Sequence, residues 1–292
     1  MQTWRFVRLD SVPVSRAALA KINKYARPRI PGPKVSLITL TVLGSGTSVG
    51  VPSIGCDCDV CTSTDPRDNR LRPSVWLRYN NKDIVIDTTP DFRYQALRVR
   101  IPKLDAILLT HGHADHILGL DDVRPFNFRQ SGTIPVFASQ ATLDIVKRVF
   151  EYVFSDAKNE SSRPKLETRT INGEPFDLHD QQIVPIPLLH GSMPVYGFRI
   201  GKLAYLTDHN KIPDESMPLL QGLDTLFLDA LRYKPHPTHS TVAQALTIVE
   251  TLQPRMTYLT HICHDLGHQR AESMLPDNVR LAYDGLTVTV DS

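Results

Sequence analysis

Residues 110–116 read Thr-His-Gly-His-Ala-Asp-His, so four side chains able to bind a metal, His111, His113, Asp115 and His116, fall within six residues. They follow directly on the apolar run Ile107-Leu108-Leu109. In extended backbone residues i and i+2 project to the same side, so the imidazoles of His111 and His113 can converge on one ion. Asp115 and His116 are then left to face a second ion. Imidazole suits zinc and other borderline divalent metals, and a carboxylate among the ligands favours a reactive metal-bound water over a closed structural site. The pattern points to a binuclear metal hydrolase, against the simpler alternative of a polar turn with surface histidines.

A second cluster, Cys56, Cys58 and Cys61, is spaced too tightly for mutual disulfides and suits thiolate ligation in a reducing compartment. A structural zinc takes four ligands, so one more must come from elsewhere in the chain. No apolar run approaches the roughly 18 residues that span a bilayer, and no short apolar segment with a cleavage site opens the chain. These features predict a soluble, cytoplasmic protein with no membrane partner.

The net charge of +2 is unevenly spread: residues 1–34 carry eight Lys or Arg against the single acid Asp10, leaving the rest near −5. A basic N-terminal extension over residues 1–35 is therefore distinguished from a domain over 36–292. Within it Ser15 caps a predicted helix over 16–27, and Pro28, Pro31 and Pro33 punctuate a linker. The extension reads as an ordinary surface segment, with a mitochondrial or plastid targeting segment as the alternative, disfavoured by its few serines. The acidic remainder offers no basic footprint for nucleic acid.

The elements that must carry these clusters are short β-branched and apolar runs at 38–43, 74–79, 84–87, 106–110, 134–138, 183–189, 196–200, 203–207, 225–228, 256–260 and 286–290. Helices are predicted at 92–99, 140–153 and 241–252, the last with Ser240 as its cap. The fold class is α/β, with strands in two batches that suggest two stacked sheets and helices outside. His190, Asp208 and His261 each close a predicted strand, and strand ends are where α/β folds assemble sites.

Together with Leu43-Gly44-Ser45-Gly46-Thr47 and Ile86-Asp87, this set resembles the metallo-β-lactamase superfamily. The resemblance implies a four-layer αββα sandwich with two zinc ions at its rim. It implies that His111, His113 and His190 hold one ion and Asp115, His116 and His261 the other, with Asp208 bridging; manganese is an alternative metal at this pair. Asp87 matches a position whose carboxylate orients metal ligands, although a strand-end turn residue would look the same. Cys56, Cys58 and Cys61 combined with Thr260-His261-Ile262-Cys263-His264 look like the phosphoribosyl cyclic phosphate phosphodiesterase family of the carbon–phosphorus lyase pathway, and more distantly ribonuclease Z. That likeness suggests His264 as the fourth ligand of a structural zinc, with Cys263 as the rival, and assigns His239 to the leaving group. Segment 65–72 is this chain's own variation.

The expected function is a phosphodiesterase in which a binuclear-zinc-activated hydroxide attacks a small phosphodiester, cyclic ribose phosphates included, Asp115 and His239 serving catalysis. Ribonuclease Z proteins that grip tRNA with an arm insert it between the positions of His190 and Asp208, here separated by seventeen residues. A nucleic-acid substrate is thus disfavoured, and a homodimer is expected from the resemblance alone. A thioester hydrolase of the glyoxalase II type shares the metal motif but lacks the cysteine triplet. A non-catalytic zinc-binding protein would tolerate loss of ligands, whereas every position is filled. His179, His209, His236 and His268 receive no role, and Arg93, Arg129 and Arg232 are undifferentiated candidates for gripping phosphate.

Overall fold

The structure, a computed structural model, describes residues 37–155 and 161–291. The helix predicted over 16–27 and the prolines after it lie outside the described residues. One seven-stranded sheet contains β1 (Leu37–Gly44), β2 (Ser74–Tyr79), β3 (Lys82–Ile86), β4 (Ala106–Leu108), β5 (Ile134–Ser139) and β6 (Leu166–Ile171). The other contains β7 (Phe176–Leu178), β8 (Gln181–His190), β9 (Met193–Ile200), β10 (Leu203–Leu206), β11 (Thr225–Asp229), β12 (Met256–Thr260) and β13 (Val279–Leu281), while β14 (Thr287–Asp291) returns to the first. The strand orders are β14-β1-β2-β3-β4-β5-β6 and β13-β12-β11-β10-β9-β8-β7. Each sheet is antiparallel in one half and parallel in the other, from β3 to β6 and from β10 to β13.

Alternation along each strand explains the layering, because successive side chains leave opposite faces. Ile84 and Ile86 join Leu40, Leu77, Phe198 and Tyr205 in a core between the sheets. Val85, Ile107 and Val136 point the other way, against α1 (Phe92–Val99), α3 (Arg124–Gln130) and α4 (Gln140–Val149), through Phe92, Phe126 and Leu143. Short α2 (Ala114–Ile117) precedes α3 in the chain. Ala204, Leu206 and Leu226 likewise pack on Ala245, Val249 and Leu252 of α6 (Val242–Leu252). The four-layer αββα arrangement expected from the resemblance is the one observed. Strands covered on both faces read as continuous apolar runs, and all five residues of β11 are buried.

Two expectations are corrected. The helix predicted over 140–153 is broken at buried Phe150 (φ −110°, ψ 41°), which separates α4 from α5 (Glu151–Phe154) and turns its ring into the outer core. Helix α6 is capped by Thr241 and not by Ser240: Thr241 Oγ1 accepts from Gln244 N, and the Gln244 side chain accepts from Thr241 N. Ser240 is committed elsewhere, its N–H to Asp229 and its hydroxyl to the His209 carbonyl. Helix α7 (His268–Glu272) follows the loop after β12.

Candidate metal centre

The C-terminal ends of β3, β4, β8, β10, β11 and β12 deliver Asp87, the His111–His116 loop, His190, Asp208, Asp229 and His261 to one rim. Three of these residues stop their strands in the left-handed region: Asp87 at φ 64°, Asp208 at φ 55° and His261 at φ 58°. Such a φ is costly for an ordinary side chain and least so for Asp, Asn and His. The turn swings the side chain out of the strand direction and into the rim.

Two groups of ligand atoms result, each with every atom within 4.8 Å of the others: His111, His113 and His190, and Asp115, His116, Asp208 and His261. Asp208 also forms a group with His190 and His239, so it stands between the two. His111 Nε2 and His113 Nδ1 face each other at 2.9 Å. His116 Nε2 lies 3.2 Å from Asp115 Oδ2 and 3.3 Å from Asp208 Oδ2, and His261 Nε2 lies 3.1 Å from Asp208 Oδ1. The seven residues predicted for a binuclear pair are therefore brought together.

Asp87 is fully buried behind them and accepts from His116 Nδ1 at 2.7 Å and from both Thr110 N and Thr110 Oγ1 at 2.8 Å. It thereby fixes the His116 ring with Nε2 toward the cluster, the orienting part that the resemblance implied and not a simple turn residue. His190 Nδ1 is fixed in the same way by the Thr238 carbonyl at 2.8 Å.

The electrostatics fit a bound cation. Burial pulls the His116 imidazole down, yet Asp208, Asp115 and Asp87 outweigh it and hold it well above its usual value. Burial raises Asp208, but His261 and His116 carry it well below the ordinary carboxylate range. For His111 and His190 burial outweighs the nearby Asp208 and pushes both imidazoles down. His116 Nε2 and both ring nitrogens of His261 are buried without an aligned hydrogen bond, although carboxylate oxygens lie close by. Buried imidazole nitrogens without aligned partners, set beside several buried carboxylates, suit a divalent ion.

His239, itself buried, lies beside both groups, its ring 4.7 Å from that of His190 and stacked 4.4 Å from that of His261. Its Nδ1 donates to Asp229 Oδ2 at 2.9 Å. Asp229, wholly buried, also accepts from Ser240 N at 3.1 Å and stands 3.8 Å from His261 Nδ1. Sequence reasoning missed Asp229, although it ends an apolar run just as Asp87 and Asp208 do.

Away from the pair, His264 Nδ1 stands 3.2, 3.6 and 3.3 Å from the sulfurs of Cys56, Cys58 and Cys61, and the four form a metal-capable group. Cys263, the rival, is turned away and its sulfur accepts from Asp265 N. The Cys61 backbone draws the Cys58 thiol down to about 7, whereas burial pushes Cys61 up to about 11.

The remaining candidates are dispersed. Arg93 and Arg129 line a cleft of about 470 Å³ between α1 and α3 that none of the metal-capable residues lines. Arg232 spends its guanidinium on the carbonyls of Lys234 and Pro235. His209 is buried with both ring nitrogens unpartnered, His236 lies 5.1 Å from His239 ring to ring, His179 sits in a left-handed turn and His268 opens α7.

Residues 82–262 match the family described as Beta-lactamase superfamily domain, and the chain belongs to this family, with the metallo-β-lactamase fold. Among individual proteins it is similar to an octanoyltransferase of Porphyromonas gingivalis, 39% identical over 255 residues that make up 86% of this chain and 51% of that protein. The chain spans about half the length, or less, of the first curated relatives it matches. Among solved structures it is similar to a new diphosphatase from the PhnP family, at 52% identity and TM-score 0.83, covering 87% of this chain and 98% of that one. Zn(2+)-bound PqqB from Methylobacterium extorquens, 19% identical with TM-score 0.69 over 86% of this chain and 99% of that one, shares the fold.

Proposed function

We propose that this chain is a metal-dependent phosphohydrolase that cleaves a P–O bond in a small phosphodiester or diphosphate, with two divalent ions, zinc or manganese, at the rim. The observation that carries the reading is Asp208 standing between two imidazole-rich groups, with His239 close to both. Divalent ions held there would lower the pKa of a water to about 7 and neutralise charge on the phosphoryl oxygens. His111, His113 and His190 would hold one, and Asp115, His116 and His261 the other, with Asp208 shared. His239, tied through Nδ1 to Asp229, keeps Nε2 as the atom that carries a proton to the departing oxygen. Asp229 also steadies the imidazolium that exists before the transfer.

A small substrate is supported by the hairpin of β8 and β9, whose strands are separated by only Gly191 and Ser192. No arm for an RNA rises between His190 and Asp208. The 52% identical diphosphatase supports phosphorus as the centre attacked. With zinc or manganese added, the purified chain should hydrolyse bis(p-nitrophenyl) phosphate and either a five-membered ribose cyclic phosphate or a nucleoside diphosphate derivative. Cleavage of precursor tRNA alone would overturn the reading.

A further inference from the structure

Segment 65–72 takes no part in the site described above, yet Arg70 is only 1% exposed and is the largest of the fully buried side chains. A guanidinium cannot shed its charge, so it is buried only where its donors are met. Its Nη2 donates to Asp68 Oδ1 at 2.8 Å and to the Leu266 carbonyl at 2.5 Å, its Nη1 to the Cys263 carbonyl at 2.9 Å and its Nε to the Arg67 carbonyl at 3.3 Å. Asp68 Oδ1 also accepts from His268 N at 2.8 Å. One ion pair thus grips the loop 261–268 at three points.

That loop carries His261 of the imidazole–carboxylate group at its start and His264 of the thiol group three residues on. Its other side is fixed to the first strand's end, where Ile262 N donates to the Ser45 carbonyl at 2.9 Å and Thr47 N to the Ile262 carbonyl at 3.3 Å. The backbone of Arg70 passes so close to Gly46 that a Cβ there would lie 2.8 Å from the Arg70 carbonyl oxygen, which is why this position needs glycine.

We propose that Asp68 and Arg70 are positioning residues for the hydrolytic centre: they make loop 261–268 a rigid strut through which the thiol site and the imidazole–carboxylate group bind metal as one coupled unit. The inference rests on the reading above only in calling that centre hydrolytic. It is tested on metal-free protein titrated with Co²⁺, whose thiolate charge-transfer band reports the cysteine site and whose visible absorption, after subtraction of the part that tracks that band, reports the imidazole–carboxylate site. Arg70→Met should weaken cobalt binding at the imidazole–carboxylate group by about 10- to 100-fold, although no ligand is altered. His264→Ala should weaken the same group, and the double variant should weaken it by less than the product of the two single factors, as two changes acting through one shared loop must. Amide exchange at Ile262 and Cys263 should quicken in metal-free Arg70→Met while the β1 amides stay protected.

Unchanged cobalt affinity at the imidazole–carboxylate group in folded Arg70→Met would overturn the proposal. If that variant fails to fold, the pair Asp68→Asn with Arg70→Met, which leaves no lone buried charge, is measured against the same outcomes. A wild-type protein that binds cobalt at both sites but hydrolyses no phosphate ester would remove the phosphohydrolase reading and leave the strut in place.

Discussion

At the scale of single residues, Asp229 and His209 separate chemistry from packing. Asp229→Asn keeps the volume but offers an amide where His239 Nδ1 needs an acceptor, which turns the imidazole to the wrong tautomer. We expect kcat to fall about 100-fold or more with KM little changed, and His239→Ala to cost a similar factor; a steady-state series in which only KM moves would remove His239 from proton transfer. His209 is fully buried and burial lowers its pKa below the ordinary value. Its folded pKa therefore lies below its unfolded pKa near 6.5, so above that pH the group contributes nothing to the pH dependence. As pH falls below about 6.5 the unfolded chain takes up a proton that the buried ring refuses, and stability is lost at up to about 1.4 kcal/mol per pH unit. Metal-free His209→Leu should accordingly show a flatter fall in Tm between about pH 7 and 5 than wild type; equal slopes would refute the assignment.

At the scale of elements, α6 illustrates how a local signal fixes a functional loop. Its capping box ends the 230–241 loop immediately after His239 and Ser240 and fixes where the helix begins, while Asp229 holds the two residues before it. Thr241→Ala should cost about 1 kcal/mol, lowering Tm by about 2–4 °C, while kcat is retained because Asp229 still holds His239 and Ser240. Loss of turnover out of proportion to the Tm shift would mean that the cap, and not Asp229, places the histidine. Strands such as β3 and β11 were legible because burial on both faces leaves continuous apolar sequence. Strands β7 and β13, Phe-Asp-Leu and Val-Arg-Leu, each carry a charge at their centre where equally short β4 is wholly apolar, and β6 reads Leu-Glu-Thr-Arg-Thr-Ile with most of its residues at least partly exposed. The break at Phe150 was illegible because helix propensity continues across it and only tertiary packing turns the ring inward.

At the scale of the whole molecule, the parallel runs of both sheets end on one rim and antiparallel β8 ends there too, so six strand ends far apart in sequence meet at one place. The ligands were readable because each follows an apolar run, and the thiol triplet because its spacing is local. The Asp68–Arg70 grip on Cys263, Leu266 and His268 was not, since it joins positions about 200 residues apart that no periodicity links. Among the described residues no helix is long and apolar enough to cross a membrane. Two groups at the rim and one of three thiols with His264 predict three metal equivalents per chain by elemental analysis, falling to two at saturating metal in Cys56→Ser/His264→Ala. A single equivalent in the parent protein would leave only the thiol site and undo the binuclear reading.

The left-handed backbone at positions 87, 208 and 261 restricts which variants can persist even when no ion is present. A randomised library selected for folding alone should already recover chiefly Asp, Asn, His and Gly at these codons and discard Val, Ile and Thr, because strand exits shaped this way punish branching at Cβ. Chain geometry thus narrows the alphabet toward potential metal ligands before any selection for turnover begins.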